Sequence, residues 1–157
     1  MNNSEQVMKI IGQLITQDSK DDNEKQWLKQ HAPNPAIAEH INSLTTRDMN
    51  VIAAVNKSHR IYAKQLPELL HLSQPTISRA IKKLNERAVI KRYSTPQNTK
   101  DIILELTPSG LEIAKVQIKL RKQIQAKISA IMAELSKSEA EQFITTLTKI
   151  KNMDIFN

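Results

Sequence analysis

LSQPTISRAIKKLNERAVIKRY, residues 72–93, reads as a helix that runs into a strand, and the rest of the chain is best interpreted outward from it. Ser73 is a good N-cap, Pro75 is tolerated in a first helical turn, and Ile77, Ile81 and Leu84 fall at i, i+4 and i+7 on one face. The opposite face carries Gln74, Thr76, Ser78, Arg79, Lys82 and Lys83, with short hydrogen-bonding groups near the start and cations further along. That order suits a helix whose first turn meets base edges and whose later turns meet phosphates.

Charge is concentrated around this helix. Between Leu44 and Asp101 there are eleven Lys and Arg residues against Asp48, Glu68, Glu86 and Asp101, so this stretch alone accounts for the net charge of +7 and the remainder is neutral. A diffuse solubilising surface would spread its excess along the chain, whereas a basic segment built on one helix is an electrostatic footprint for nucleic acid.

Composition narrows the alternatives. A chain of 157 residues with 39% apolar content can bury one real core, and 3% aromatics makes that core aliphatic, without the stacking platform of single-strand or RNA-binding sheets. The absence of cysteine excludes disulfides, thiolate metal sites and thiol redox sensing. No apolar run approaches the roughly 20 residues of a membrane span, and the polar start MNNSEQ is unlike a signal peptide, so a soluble, cytoplasmic protein without membrane contact is expected. Only Gly12 and Gly110 occur, there is no phosphate-binding glycine loop, no HExxH and no Ser/His/Asp grouping near an elbow, so no enzymatic activity is expected.

Helical periodicity dominates the rest. Val7, Ile10, Ile11, Leu14 and Ile15 form a narrow stripe, followed by DSKDDNEK, which breaks or merely solvates that helix. Ala32-Pro33-Asn34-Pro35 is a turn, Ile37, Ile41 and Leu44 mark a short helix, and Thr45 or Thr46 can cap the next, with Met49, Ile52, Ala53 and Val55 inward. A short helix is expected over 61–70, in which Pro67 is awkward unless it sits in the first turn of a restarted segment. Val89–Ser94 and Ile102–Leu106 read as a hairpin around TPQNTKD. Thr107-Pro108-Ser109-Gly110 opens a long helix with Ile113, Val116, Leu120, Ile124, Ile128, Ile131 and Leu135 at steps of three or four. Ser138 with Glu141 reads as the capping box of a last helix that turns Phe143, Ile144, Leu147 and Ile150 inward.

Leu44-Thr45, the segment SQPTISRAIKKLNERAVIKR, the hairpin and the LTPSG element at 106–110 together resemble the multiple-antibiotic-resistance regulator (MarR) family of dimeric winged-helix transcription regulators. Residues 44–115 carry the resemblance, and the flanking helices match in pattern and length. The resemblance implies a mainly α fold with a small β-hairpin wing: a winged helix-turn-helix DNA-binding domain over residues 44–108, between dimerisation helices over 1–43 and 109–157. It implies a homodimeric, sequence-specific regulator acting as a repressor on double-stranded DNA with a palindromic operator, and leaves a small-molecule effector as an open option.

One departure concerns the wing. The family pattern places Asp-x-Arg two residues after a proline, with the Asp holding an Arg directed into the minor groove; counted from Pro96, those positions are Asn98 and Lys100. Lys keeps the charge but lacks the planar fork and weak hydration that favour a narrow groove, so phosphate binding is expected, with Asp101 next door as a substitute carboxylate.

The expected DNA-contacting residues are therefore Ser73, Gln74, Thr76 and Ser78 near the helix start, Arg79 on a base or phosphate, Lys82 and Lys83 on phosphates, and Asn98 and Lys100 in the wing. Ser73 reads first as a cap. Arg60 and Lys64 read as phosphate contacts or plain surface, and Arg92 as a DNA contact or a brace within the hairpin. His31, His40, His59 and His71 have no i, i+4 pairing, and no metal or cofactor is expected. The competing reading is a winged-helix adaptor for protein–protein contact without DNA, which calls for a neutral recognition face.

Overall fold

A computed structural model describes residues 2–15 and 18–154. The expected flanking segments therefore extend at Met1, residues 16 and 17, and residues 155–157 beyond what is described. The chain divides into two compact units, Met1–Leu120 and Arg121–Asn157.

The first unit begins with α1 (Asn3–Ile15) and α2 (Asp18–Gln30). The charged stretch from Asp18 onward thus forms a helix of its own. Its last turn holds Trp27, whose ring stacks on His31 at 3.8 Å, and Leu28, which is buried. Asn34 then caps α3 (Pro35–Ser43) by accepting from the Ile37 N–H at 3.0 Å, with Pro35 in the first turn where its missing N–H costs nothing. Thr45, rather than Thr46, caps α4 (Thr46–Ser58) in a full capping box with Asp48. The inward alanine of α4 is Ala54; Ala53 lies at the edge of the buried face.

The region expected as one short helix over 61–70 is three things: β1 (Arg60–Tyr62), a 3-10 turn at Ala63–Gln65 and α5 (Leu66–Leu70). Pro67 sits in the first turn of α5, as its chemistry requires. His71, with φ 53°, closes α5, and Ser73 opens α6 (Gln74–Glu86), so α5 and α6 form the helix-turn-helix. Ile77, Ala80, Ile81 and Leu84 are the buried face of α6.

The wing comprises β2 (Ile90–Thr95) and β3 (Asn98–Leu106), joined only by Pro96 and Gln97, so the hairpin tip is tighter than the expected seven-residue connection. β3 is the central strand of a three-stranded antiparallel sheet of order β1-β3-β2, with Ile61 opposite Leu104 and Ile90 opposite Leu106. β1 therefore pins the wing to the start of the helix-turn-helix.

Thr107 joins the wing to α7 (Pro108–Met132). Its hydroxyl accepts from the Gly110 N–H at 3.1 Å and donates to the Ala88 carbonyl at 2.6 Å, while its own N–H donates to the Val89 carbonyl at 3.1 Å. One residue thus caps the helix and fastens it to the turn after α6. Gln117, further along α7, donates to the Met49 carbonyl at 3.1 Å. Ile41, Ile52, Leu66, Ile77, Leu84, Ile90, Leu104 and Ile113 are all fully buried in this aliphatic core, each contributing about 1.5–3 kcal/mol.

The second unit holds the rest of α7 and α8 (Lys137–Lys151). α7 ends at Met132, short of Leu135, and the cap of α8 is Ser136 with Glu139 in place of the expected Ser138 with Glu141. Phe143, Ile144 and Leu147 are exposed in the single chain.

Candidate nucleic-acid interface

The polar face of α6 is built from its cap inward. Ser73 accepts from the Thr76 N–H at 3.4 Å, and the Ser73 and Thr76 hydroxyls lie 2.8 Å apart. Whichever donates, one hydroxyl hydrogen of the pair is left for an outside acceptor. Gln74, Ser78, Arg79 and Lys82 are exposed on the same helix. Lys82 approaches Glu86 at 4.0 Å across one turn, a distance at which an exposed pair holds it only weakly.

Lys83 departs from expectation. Its Nζ lies 2.6 Å from Asp48 Oδ2, its side chain is only 32% exposed, and Asp48 is 3% exposed. The same Asp48 oxygen accepts from the Thr45 N–H at 2.8 Å. Lys83 thus pairs with a buried carboxylate of α4 and is only partly exposed. The sequence held a signal for Asp48, because Thr45-Thr46-Arg47-Asp48 before an apolar run is a capping-box pattern, and an acid in it is drawn toward the helix body.

In the wing, Asn98 shapes the tip: its Oδ1 accepts from the Lys100 and Asp101 N–H groups at 3.3 Å each, and its Nδ2 donates to Asp101 Oδ2 at 2.7 Å. Lys64 also donates to Asp101 Oδ2, at 2.8 Å. Asp101 is therefore engaged by Lys64 and Asn98 and does not take the role of steadying Lys100, which stands exposed. The Lys64 ammonium, helped by the Asn98 amide, holds the Asp101 carboxyl below the usual carboxylate range.

A second acid braces the sheet. Glu105 Oε1 accepts from the Tyr93 hydroxyl and from Arg60 Nε, both at 2.7 Å, linking all three strands. Those two donors lower the Glu105 carboxyl, the tyrosine bond being the larger cause, and the same bond raises the Tyr93 hydroxyl. Arg60 and Lys64, read as DNA contacts or plain surface, are thus tied to β3, while Arg92 is exposed on β2 opposite Leu104.

Three of the four histidines have structural settings. His59 and His71 occupy helix C-cap positions at φ 59° and 53°, and His31 Nδ1 lies 2.9 Å from the Trp27 carbonyl. Among the described residues no three His, Asp or Glu side chains gather as a metal site, and no helix is long and apolar enough to cross a membrane. A cavity of about 310 Å³ opens among Leu28, Ile41, Leu44, Thr45, Met49, Gln117 and Leu120, with Asp22, Glu24 and Lys25 at its rim.

The same fold recurs in known structures. A mutant MarR of E. coli, solved in complex with operator DNA, matches with a TM-score of 0.60 over 96% of this chain and 99% of that one, at 16% identity. The adhesin competence repressor AdcR of Streptococcus pyogenes matches with a TM-score of 0.72 over 96% of both chains, at 14% identity. This chain has the winged-helix fold of the MarR-type regulators. In sequence, it is 24% identical to the HTH-type transcriptional regulator YvnA of Bacillus subtilis over 129 residues, 79% of this chain and 82% of the relative. No protein-family profile matches the chain.

Proposed function

We propose that this protein is a sequence-specific transcription regulator of the MarR type that binds double-stranded DNA as a homodimer and acts as a cytoplasmic repressor. The observation that carries the reading is the exposed face of α6, where Gln74, Ser78, Arg79 and Lys82 stand together on the segment that holds the whole net charge. In this reading residues 44–108 bind DNA and residues 1–43 and 109–157 dimerise. Gln74, Ser78 and the remaining hydroxyl hydrogen of the Ser73–Thr76 pair meet base edges, Arg79 a base or phosphate, Lys82 and Lys100 phosphates, and Asn98 holds the wing tip.

Dimerisation is supported by unpartnered apolar side chains. No described residue of α1 is buried, and Met8, Ile10, Leu14 and Ile15 are each more than half exposed; Phe143, Ile144 and Leu147 of α8 are also open. Apolar stripes left open among the described residues of each unit are best covered by a second copy across a two-fold axis, which would space the two α6 helices for half-sites about 34 Å apart. Release by a small molecule is supported by the cavity beside Thr45 and Met49, whose size suits a compact ligand.

The test is selection from a random duplex pool with the purified full chain, followed by light scattering. A palindromic site with half-sites one helical turn apart and a dimer mass support the reading, and a reporter repressed through that site supports repression. No enriched duplex, with salt-independent capture of a protein partner instead, would favour the adaptor.

A further inference from the structure

We propose that Asp48 is a positioning residue for DNA recognition, acting through Lys83 on the pose of α6; the inference rests on the duplex-binding reading above. Asp48 is the only charged side chain buried among the described residues, and one of its oxygens joins two helices, accepting the Thr45 N–H at the start of α4 and the Lys83 ammonium from α6. α4 and α6 are in contact, and their buried apolar residues, among them Ile52, Val55, Ile77 and Ile81, belong to one aliphatic core. The hydrophobic attraction is non-directional and the helix pose rests on how these side chains interdigitate, so a directional bond at the edge of the contact adds its own constraint on roll about the α6 axis. A charge-assisted hydrogen bond at 2.6 Å is short and directional, and it sets that roll.

The consequence reaches the DNA-facing residues because they share the rigid helix. A side-chain tip on α6 lies about 6 Å from the helix axis, so a roll of about 10° carries the ends of Gln74, Ser78 and Arg79 through roughly 1 Å. Hydrogen bonds to base edges weaken steeply over that displacement, whereas phosphate attraction changes little. Losing the pair should therefore cost discrimination between sequences more than general affinity for duplex.

The experiment uses the full chain and two probes, the duplex recovered by selection and a scrambled duplex of equal length. Asp48→Asn, Lys83→Met, the double variant and Lys83→Arg are compared after melting curves establish that each is folded; Lys83→Gln replaces any that is not. Expected is a drop of about tenfold in the selected-to-scrambled preference for either single variant, no further drop in the double variant, and recovery in Lys83→Arg. For Lys83→Met, affinity for the scrambled duplex and its salt slope stay at the wild-type level. A uniform loss of affinity with a slope shallower by about 0.9 per lost contact would make Lys83 a phosphate ligand and overturn the inference. Unchanged preference in Asp48→Asn overturns it too, leaving the proposed function standing; a wild type that prefers no duplex removes both.

Discussion

The carbonyl oxygen of Val89 occupies the space that a Cβ on Gly110 would need, with the Leu106 side chain on the other flank at 3.3 Å. That carbonyl cannot retreat easily, because it accepts the Thr107 N–H at the junction of wing and α7. In an open helix, Gly→Ala gains about 1 kcal/mol, but overpacking against a fixed backbone atom costs about 1–3 kcal/mol. The clash wins, and Gly110→Ala is expected to lower the melting temperature; an unchanged or higher value would contradict the close approach.

The start of α8 offers a choice between two equivalent-looking caps. Ser136→Ala removes the hydroxyl that accepts the Glu139 N–H at 3.3 Å and is expected to cost about 1 kcal/mol with a loss of helical circular dichroism. Ser138→Ala, inside the helix, is expected to be neutral or slightly stabilising. Equal losses in the two variants would contradict the observed register.

Acid should loosen the wing. Glu105 and Asp101 have folded-state pKa values below their unfolded ones, so their contribution is fully present above the unfolded carboxylate pKa of about 4 and is lost as pH falls through the lowered folded values. Melting temperature is expected to be level from about pH 7 to 5 and to fall below about 4. The Glu105→Gln/Asp101→Asn double variant should show a shallower acid decline. The same decline in that variant and the wild type would mean other carboxylates govern it.

Lys100 stands exposed at the wing tip, where the MarR pattern has Arg. Lys100→Arg should tighten binding to sites with A·T-rich flanks more than to G·C-rich ones, because a guanidinium suits a narrow minor groove better than an ammonium. Equal gains on both flanks would restrict the residue to phosphate, and no gain would mean the tip does not reach DNA.

Periodicity made α6 legible, because it buries one face at a regular interval along a single segment, and apolar runs marked the hairpin; in α7 the buried positions Ile113, Ala114 and Val116 lie in the first turns, while Ile124, Ile128 and Ile131 of the expected stripe are exposed. β1 was not legible: Arg60–Tyr62 is too short for a pattern, and its pairing depends on Ile103–Glu105, some forty residues away. The Lys83–Asp48 pair was not legible, for a geometric reason that concerns Lys83. On an ideal helix it lies about 110° from the centre of the buried Ile77/Ala80/Ile81/Leu84 face, at the boundary where a long side chain turns either way, and the direction is set by Asp48 on another helix. Lys82, near the middle of the polar face, carries no such ambiguity and is exposed as read. At α8, the sequence SKSEAE offers Ser-x-x-Glu in two frames, and local pattern cannot choose between them.

The central claim is that the exposed α6 face and the wing meet duplex DNA, and the most direct measurement is equilibrium affinity for the selected duplex as a function of salt concentration. Each phosphate contact contributes about −0.9 to the logarithmic slope, so Lys82 and Lys100 from two protomers predict a slope of about −3.6, and about −5.4 when Arg79 meets phosphate as well. A slope near zero, or no measurable duplex affinity at low salt, would contradict it.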